Sequence, residues 1–317
     1  MSNKEYRPTL AQLRTFVTIA ENRHFGTAAN KLNISQPSLS QALVALESGL
    51  GIQLIERSTR KVIVTPAGAE LLPYAKATLE AADAFVAQSR GAVGVLAGPL
   101  SIGIIPTLAP YLLPDFLRLC RQEFPDLKPR IVEEQTPRLV QQLRDGQIDV
   151  AVLALSSQTL GLMEMPLFDE PFIIVTDENN SLAGRRDLNL KVLDELDLLL
   201  LDDGHCLRDQ IVDLCRLVHT APETAVDSAT RASSLTTIMQ LVVAGFGSTL
   251  VPISAVATEC VRPGLGLASF DSSVVAQRTV GVVSRSSSSR VEEYNDLGAL
   301  VTRAYELAAA KGREMLS

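Results

Sequence analysis

Cys206 and Cys215 stand nine positions apart in DDGHCLRDQIVDLC, and three readings of the pair are open. Free cysteine is among the most buried residue types, so two unrelated core thiols are the plain one. Zinc is a second, because His205, Cys206, Cys215 and His219 offer four nitrogen or sulfur ligands, with Cys215 and His219 one helical turn apart. Against it, His205 and Cys206 are adjacent and point in different directions. A redox switch is the third. Leu207, Ile211 and Leu214 recur at spacings of four and three, which predicts a helix, and nine helical residues rise about 13 Å. A disulfide needs Cα atoms within about 7 Å, so the pair can join only if the segment unwinds, and oxidation would then change conformation. With His205 beside the thiol and Arg208 near it, a lowered Cys206 pKa is expected.

A second polar set lies near the start. TLAQLRTFVTIAENRHF puts Leu10, Leu13, Phe16, Val17 and Ala20 on one helical face, with Thr9 as N-cap and Gln12 closing a capping box. GTAANKLNI gives a brief helix through Ala28, Ala29 and Leu32 to Asn33. In SQPSLSQALVALESGLG, Ser35 caps a third helix, Gln36 and Pro37 suit its first turn, and Leu39, Ala42, Leu43 and Leu46 form its buried stripe. Gln36, Ser38, Ser40 and Gln41 on its exposed start fit a helix-turn-helix reading base edges, and fit an ordinary polar face of a small bundle equally well. IQLIERSTRKVIVT favours the former: it alternates like a hairpin and clusters Arg57, Arg60 and Lys61 at its tip, as a wing lying along phosphates would.

Totals agree with a divided chain. The 317 residues are 46% hydrophobic, enough for more than one core, and net charge is −7. Residues 1–90 carry ten Lys/Arg against seven Asp/Glu, a balance of +3, while the remainder carries −10. That asymmetry permits a phosphate-contacting head on an acidic body, and +3 alone does not establish one. No apolar run reaches the roughly 20 residues of a membrane helix, and MSNKEYRPTL lacks a signal-peptide core, so a soluble cytoplasmic protein is expected. Four scattered cysteines do not make a disulfide framework.

FGTAANKLNISQPSLSQALVALESGLGIQLIERSTRKVIVTPAG, residues 25–68, resembles the N-terminal signature of the LysR-type transcription regulators, departing at Ile55, where the family commonly has Phe. The resemblance implies a winged helix-turn-helix over 1–65 that binds double-stranded promoter DNA, with Thr27, Gln36, Pro37, Ser38, Ser40 and Gln41 facing the groove and Arg57 on the wing. From Thr65 as cap and Pro66 at the first position, a long helix over 66–90 carries a seam of Leu71, Leu72, Ala75, Leu79, Ala82 and Phe85. Such a seam needs a partner, either its own domain or a second copy. By resemblance it is the linker helix of a homodimer, in a family commonly built as homotetramers, and RNA polymerase is an expected partner. GAVGVLAGP then breaks the helix, and 91–98 reads as a hinge.

Beyond it, strand and helix signals alternate: LSIGIIPT, LAPYLLPDFLRLCRQEF, RIVEEQT, PRLVQQLRDG, IDVAVLAL. That order predicts a right-handed, largely parallel sheet covered on both faces, with ligands at the strand ends where Thr107 and Thr136 fall. Further strands are expected in PFIIVT, DLLLL, STLVP and RTVGVVS, and a closing helix around Tyr294 to Ala309. SRSSSSR reads as a solvated turn. The expected fold is thus multi-domain α+β: the winged head, the linker helix, and over 99–317 a two-lobed α/β effector domain resembling periplasmic solute-binding proteins. Lobe I spans about 99–168 and 277–317, lobe II about 169–276.

GHCLRDQ with a cysteine at this spacing, and IPTLAPYLLP, are similar to the OxyR branch of that family, which senses hydrogen peroxide. That likeness implies a peroxidatic Cys206 oxidised to sulfenic acid, a resolving Cys215, and a peroxide-binding set of Thr107, Thr136, His205 and Arg278, with Gln210 one turn beyond Cys206. Cys120 and Cys260 match neither redox position. The reading is a regulator of oxidative-stress genes, not an enzyme, with no cofactor and no metal, reset by a separate thiol reductant. The alternative is a LysR-type regulator of a small organic effector in which the cysteines are incidental.

Overall fold

The computed structural model describes residues 6–57, 62–89, 96–156, 159–218, 231–288 and 290–316. Arg60 and Lys61 at the wing tip, most of the expected hinge (91–95) and His219 fall outside them. The chain divides into two units: Met1–Gly94 with Gln142–Gln147 and Arg285–Val291, and Val95–Gln141 with Ile148–Ser284 and Glu292–Ser317.

In the first unit, helix α1 (Leu10–Asn22) begins in the expected capping box: Thr9 N donates to Gln12 Oε1 at 2.9 Å and Gln12 N to Thr9 Oγ1 at 3.3 Å. Helix α2 (Phe25–Leu32) starts one residue earlier than its apolar pattern suggests, because His24 Nδ1 caps it by accepting from Thr27 N. Asn33, left-handed at φ 52°, ends it and turns the chain into α3 (Gln36–Leu50), which Ser35 caps. Phe16, Ile19, Leu39, Leu43, Leu46, Leu54 and Ile55 form the core, and Ala42 at the stripe's edge is half-buried. Strands β1 (Ile55–Arg57) and β2 (Val62–Val64) pair antiparallel, as a wing requires. Helix α4 (Pro66–Ser89) follows, with Thr65 Oγ1 accepting from Gly68 N. Ala75 and Leu79 reach the core, whereas Tyr74 and Phe85 are 70% and 76% exposed.

The second unit runs β3 (Gly98–Ile104), α5 (Ala109–Glu123), β4 (Leu127–Glu133), α6 (Thr136–Arg144), β5 (Val150–Ala154), β6 (Met163–Asp177), β7 (Leu200–Leu201), α7 (Cys206–Arg216), β8 (Arg231–Ala232), α8 (Leu235–Val243), β9 (Thr249–Pro252), α9 (Ile253–Glu259), β10 (Leu265–Ser269), β11 (Gln277–Ser284) and α10 (Val291–Leu316). Strands β4, β3 and β5 are parallel, as their helical crossovers demand. The sheet as a whole is mixed, however, in the order β10-β6-β11-β5-β3-β4 with β9 also on β6. This corrects the largely parallel expectation. Strand β6 is 15 residues long; Met163–Pro171 pairs antiparallel with β11, and Phe172–Asp177 with β9 and β10. One strand therefore serves both halves of the sheet, and its returning neighbours run against it. DLLLL contributes the two residues of β7, parallel to β8, and a lone bridge from Leu198 to Ser248. The serine-rich turn is also not simply solvated: Ser284, Arg285 and Ser288 are buried, and Arg285 Nη1 donates to Leu143 O at 2.8 Å.

Candidate functional site

Cys206 is the first residue of α7 and only 7% exposed. Its helix start is brought to the end of β4 by a close backbone approach. Gly204 has φ +92°, and a Cβ there would lie 2.5 Å from Gln135 Oε1, while Gln135 Nε2 donates to Asp203 O at 3.4 Å. Thr136, next to Gln135 and first in α6, is thereby set beside the sulfur, where its hydroxyl favours the thiolate. Thr107 lies in the turn after β3, and Arg278 on β11 reaches it: Nη1 donates to Thr107 Oγ1 at 2.7 Å and Nη2 to Thr107 O at 3.0 Å. Arg278 sits directly across the β6–β11 ladder from Glu170, and both side chains are fully buried. Arg278 Nε and Nη2 donate to Glu170 Oε2 at 2.9 and 2.7 Å. Thr107, Thr136, Cys206 and Arg278, scattered over some 170 positions, thus belong to one buried site.

The electrostatics differ from expectation. Burial pushes the Cys206 thiol above its ordinary pKa, and Asp209 adds to this; Arg278, Thr136 and the Leu207 N–H pull the other way. Neither His205 nor Arg208 supplies the expected lowering. His205, the buried N-cap of α7, has its own pKa lowered by burial and so favours the neutral ring, while Arg208 is paired with Asp203 at 3.2 Å and Asp209 at 3.3 Å. On balance the surroundings favour the protonated thiol. One turn beyond Cys206, Gln210 Oε1 is buried without a hydrogen-bond partner among the described residues. Such a group costs about 1–3 kcal/mol unless satisfied, so a small hydroxylated molecule donating to it would be held.

Cys215 lies in the same unbroken helix, 1% exposed and close to Asp194 in the 3₁₀ turn Leu190–Glu195; burial pushes its thiol up to about 11. At about 100° per residue, nine residues leave the two side chains on opposite faces of α7, in addition to the rise of about 13 Å. That geometry opposes a shared zinc ion, and no group of three or more His, Cys, Asp or Glu able to hold a metal occurs among the described residues. Cys120 on α5 and Cys260 after α9 are buried free thiols, pushed up to about 11 and about 12.

On the head, Gln36, Pro37, Ser38 and Gln41 are exposed on the first turns of α3, Ser40 is half-buried, and Thr27 is exposed on α2. Ser38 Oγ is shared with Ser35 Oγ at 2.8 Å and Thr27 Oγ1 with His24 Nδ1 at 3.1 Å. Arg57 ends β1; its side chain lies outside the described part. Two residues were not anticipated. His24 as a cap has no strong sequence signal, and Glu170 showed only as a charge inside the apolar run of DEPFIIVT, since its partner is fixed by strand register.

Residues 10–69 match the bacterial regulatory helix-turn-helix protein, lysR family, and residues 94–305 match the LysR substrate binding domain. A probable hydrogen peroxide-inducible genes activator of Mycobacterium avium is 48% identical over 95% of this chain and 96% of its own length. The DNA-binding transcriptional dual regulator OxyR of Escherichia coli K12 is 38% identical over 91% and 93%. Among solved structures, a peroxide-bound cysteine-to-serine mutant of Corynebacterium glutamicum OxyR is 62% identical, with 98% of each chain covered and a TM-score of 0.69. Full-length OxyR from Pseudomonas aeruginosa, a cysteine-to-aspartate form, is 32% identical, covering 93% and 98%, with a TM-score of 0.79. With both halves matched and relatives of this kind aligned end to end, the chain belongs to the LysR family of bacterial regulators, in its OxyR branch.

Proposed function

We propose that Cys206 is the peroxidatic thiol and Cys215 the resolving thiol of a DNA-binding transcription regulator that responds to hydrogen peroxide. Peroxide enters beside Thr107, Thr136, His205 and Gln210, and the Cys206 proton is lost as it binds. The thiolate attacks one peroxide oxygen; the O–O bond breaks, sulfur becomes a sulfenic acid, and the departing hydroxide takes a proton to leave as water. Arg278 offsets the charge on that oxygen. The Cys215 thiolate then attacks the sulfenic sulfur, forming the disulfide and a second water, so each peroxide consumes one thiol pair. A thiol reductant reverses this, and the chain turns over no substrate.

One observation carries the reading. The protonated Cys206 and its resolving partner occupy opposite faces of one helix, so the disulfide cannot form while α7 stands. Oxidation therefore rebuilds α7 and, through it, the packing of the effector domain and the spacing of the heads. Lobe I (99–168, 277–317) and lobe II (169–276) meet where β6 passes from β11 to β9 and β10. Exposed Tyr74 and Phe85 on the linker helix suit a homodimer, with pairs of dimers as the full assembly and RNA polymerase as its partner at promoter DNA. The test is thiol counting with stoichiometric peroxide, beside promoter footprints of reduced, oxidised and Cys206→Ser chain. Loss of Cys206 and Cys215 with a changed footprint is expected. Unselective or absent thiol loss would point instead to a regulator of a small organic effector.

A further inference from the structure

Glu170 does nothing in the scheme above, yet it is fully buried and holds the residue on which that scheme turns. A guanidinium has five N–H donors. Those of Arg278 go to Glu170 from Nε and Nη2 and to Thr107 from Nη1 and Nη2, which leaves one Nη1–H without an acceptor among the described residues. Glu170 is itself fixed, because Ser254 N at the start of α9 donates to its Oε1 at 3.1 Å. The cation therefore has one orientation, and most of its charge is answered at contact distance. An uncompensated Arg beside a thiol in a dry site would favour the thiolate strongly; here burial outweighs its pull. Among the other ionisable groups around the pair, Tyr111 on α5 feels Arg278 but is buried, donates to Glu259 Oε1 at 3.1 Å and is pushed above its ordinary pKa. Asp209 on α7 opposes ionisation of Cys206, His205 leans neutral, Arg208 is tied to Asp203 and Asp209, and Tyr305 on α10, influenced by both Glu170 and Arg278, is held protonated up to about 12.

We propose that Glu170 is a positioning residue for the peroxide reaction: it clamps the Arg278 guanidinium against Thr107 and offsets its charge, and so sets the peroxide concentration at which Cys206 reacts. This rests on Cys206 being the peroxidatic thiol. Sensitivity is then tuned from β6, by a carboxylate that never meets peroxide.

The test uses the full chain with Glu170, Glu170→Gln or Glu170→Asp, each with Cys215→Ser so that reaction stops at the first thiol. Modification of Cys206 is followed by mass spectrometry from about pH 6 to about pH 12, with iodoacetamide and with hydrogen peroxide. Glu170→Gln is expected to move the alkylation midpoint down by about one pH unit, which is about tenfold faster alkylation at neutral pH. Glu170→Asp keeps the charge and shortens its reach. Its midpoint should stay with the parent, while its peroxide rate falls several-fold. An unchanged midpoint in a folded Glu170→Gln chain overturns the proposal. If that chain does not fold, Glu170→Asp matching the parent in both midpoint and peroxide rate overturns it. Iodoacetamide does not use a peroxide site, so a parent chain that alkylates at Cys206 but ignores peroxide would sink the functional reading and leave the Glu170 result standing.

Discussion

At the scale of single residues, the site is a buried thiol whose ionisation is withheld. Burial raises the Cys206 pKa, so the thiolate is the minor species near neutrality and its fraction grows about tenfold per pH unit. The rate of Cys206 loss to peroxide should accordingly climb between about pH 6 and about pH 8; a flat profile in stopped-flow thiol assays would mean that the thiol is already ionised. Thr107→Val removes the oxygen that accepts from Arg278 Nη1, and loss of that charge-assisted bond should slow the peroxide reaction by about tenfold or more while secondary structure is retained. Spacing alone placed the two cysteines on one helix and left their chemistry open among three readings. The Cys206 pKa was not legible, because proximity in sequence suggested His205 and Arg208, whereas the pull comes from Arg278, 72 positions away.

At the scale of elements, α7 is the part that a Cys206–Cys215 disulfide would require to give way. Asp213 is exposed on it and, among the described residues, paired with Arg216, one turn on, at 3.1 Å. Asp213→Gly and Asp213→Ala both lose that pair but differ by about 1 kcal/mol in helix propensity, about fivefold in the unwinding equilibrium. Disulfide closure after a peroxide pulse should be faster in the Gly variant by about that factor; equal rates would separate closure from unwinding. Helix α3 gives a second test. Ser35→Ala removes its cap and should cost about 1 kcal/mol in the head's unfolding, while Gln36→Ala or Gln41→Ala should cost about 1–3 kcal/mol of binding and relax preference at single base positions in promoter fragments. Both helices were legible because caps and apolar periods are local. β6 was not, because nothing within its 15 residues states that it is shared between two sheet halves.

At the scale of the molecule, four buried thiols set an alkaline limit. Cys120 and Cys215 are pushed up to about 11, Cys260 to about 12, and Cys206 is raised too. The unfolded chain releases these protons near pH 9 and the folded chain retains them, so their contribution to stability is complete below about pH 9 and declines through about pH 12. Melting temperature of reduced protein should therefore fall above about pH 9, and less steeply in a Cys120→Ala, Cys260→Ala chain.

The sequence by itself determined whatever is written within a helical turn or a strand's alternation: the capping box at Thr9, the polar exposed start of α3, the long helix after Thr65, and two thiols that a helix must keep apart. Only the tertiary structure decided which distant groups share a buried site. Thr107, Thr136, Glu170 and Arg278 meet at Cys206 through strand register and the close approach at Gly204, and neither leaves a periodic trace. The sign of the Cys206 shift follows from the same cause, since desolvation belongs to the assembled core and has no counterpart in a stretch of chain.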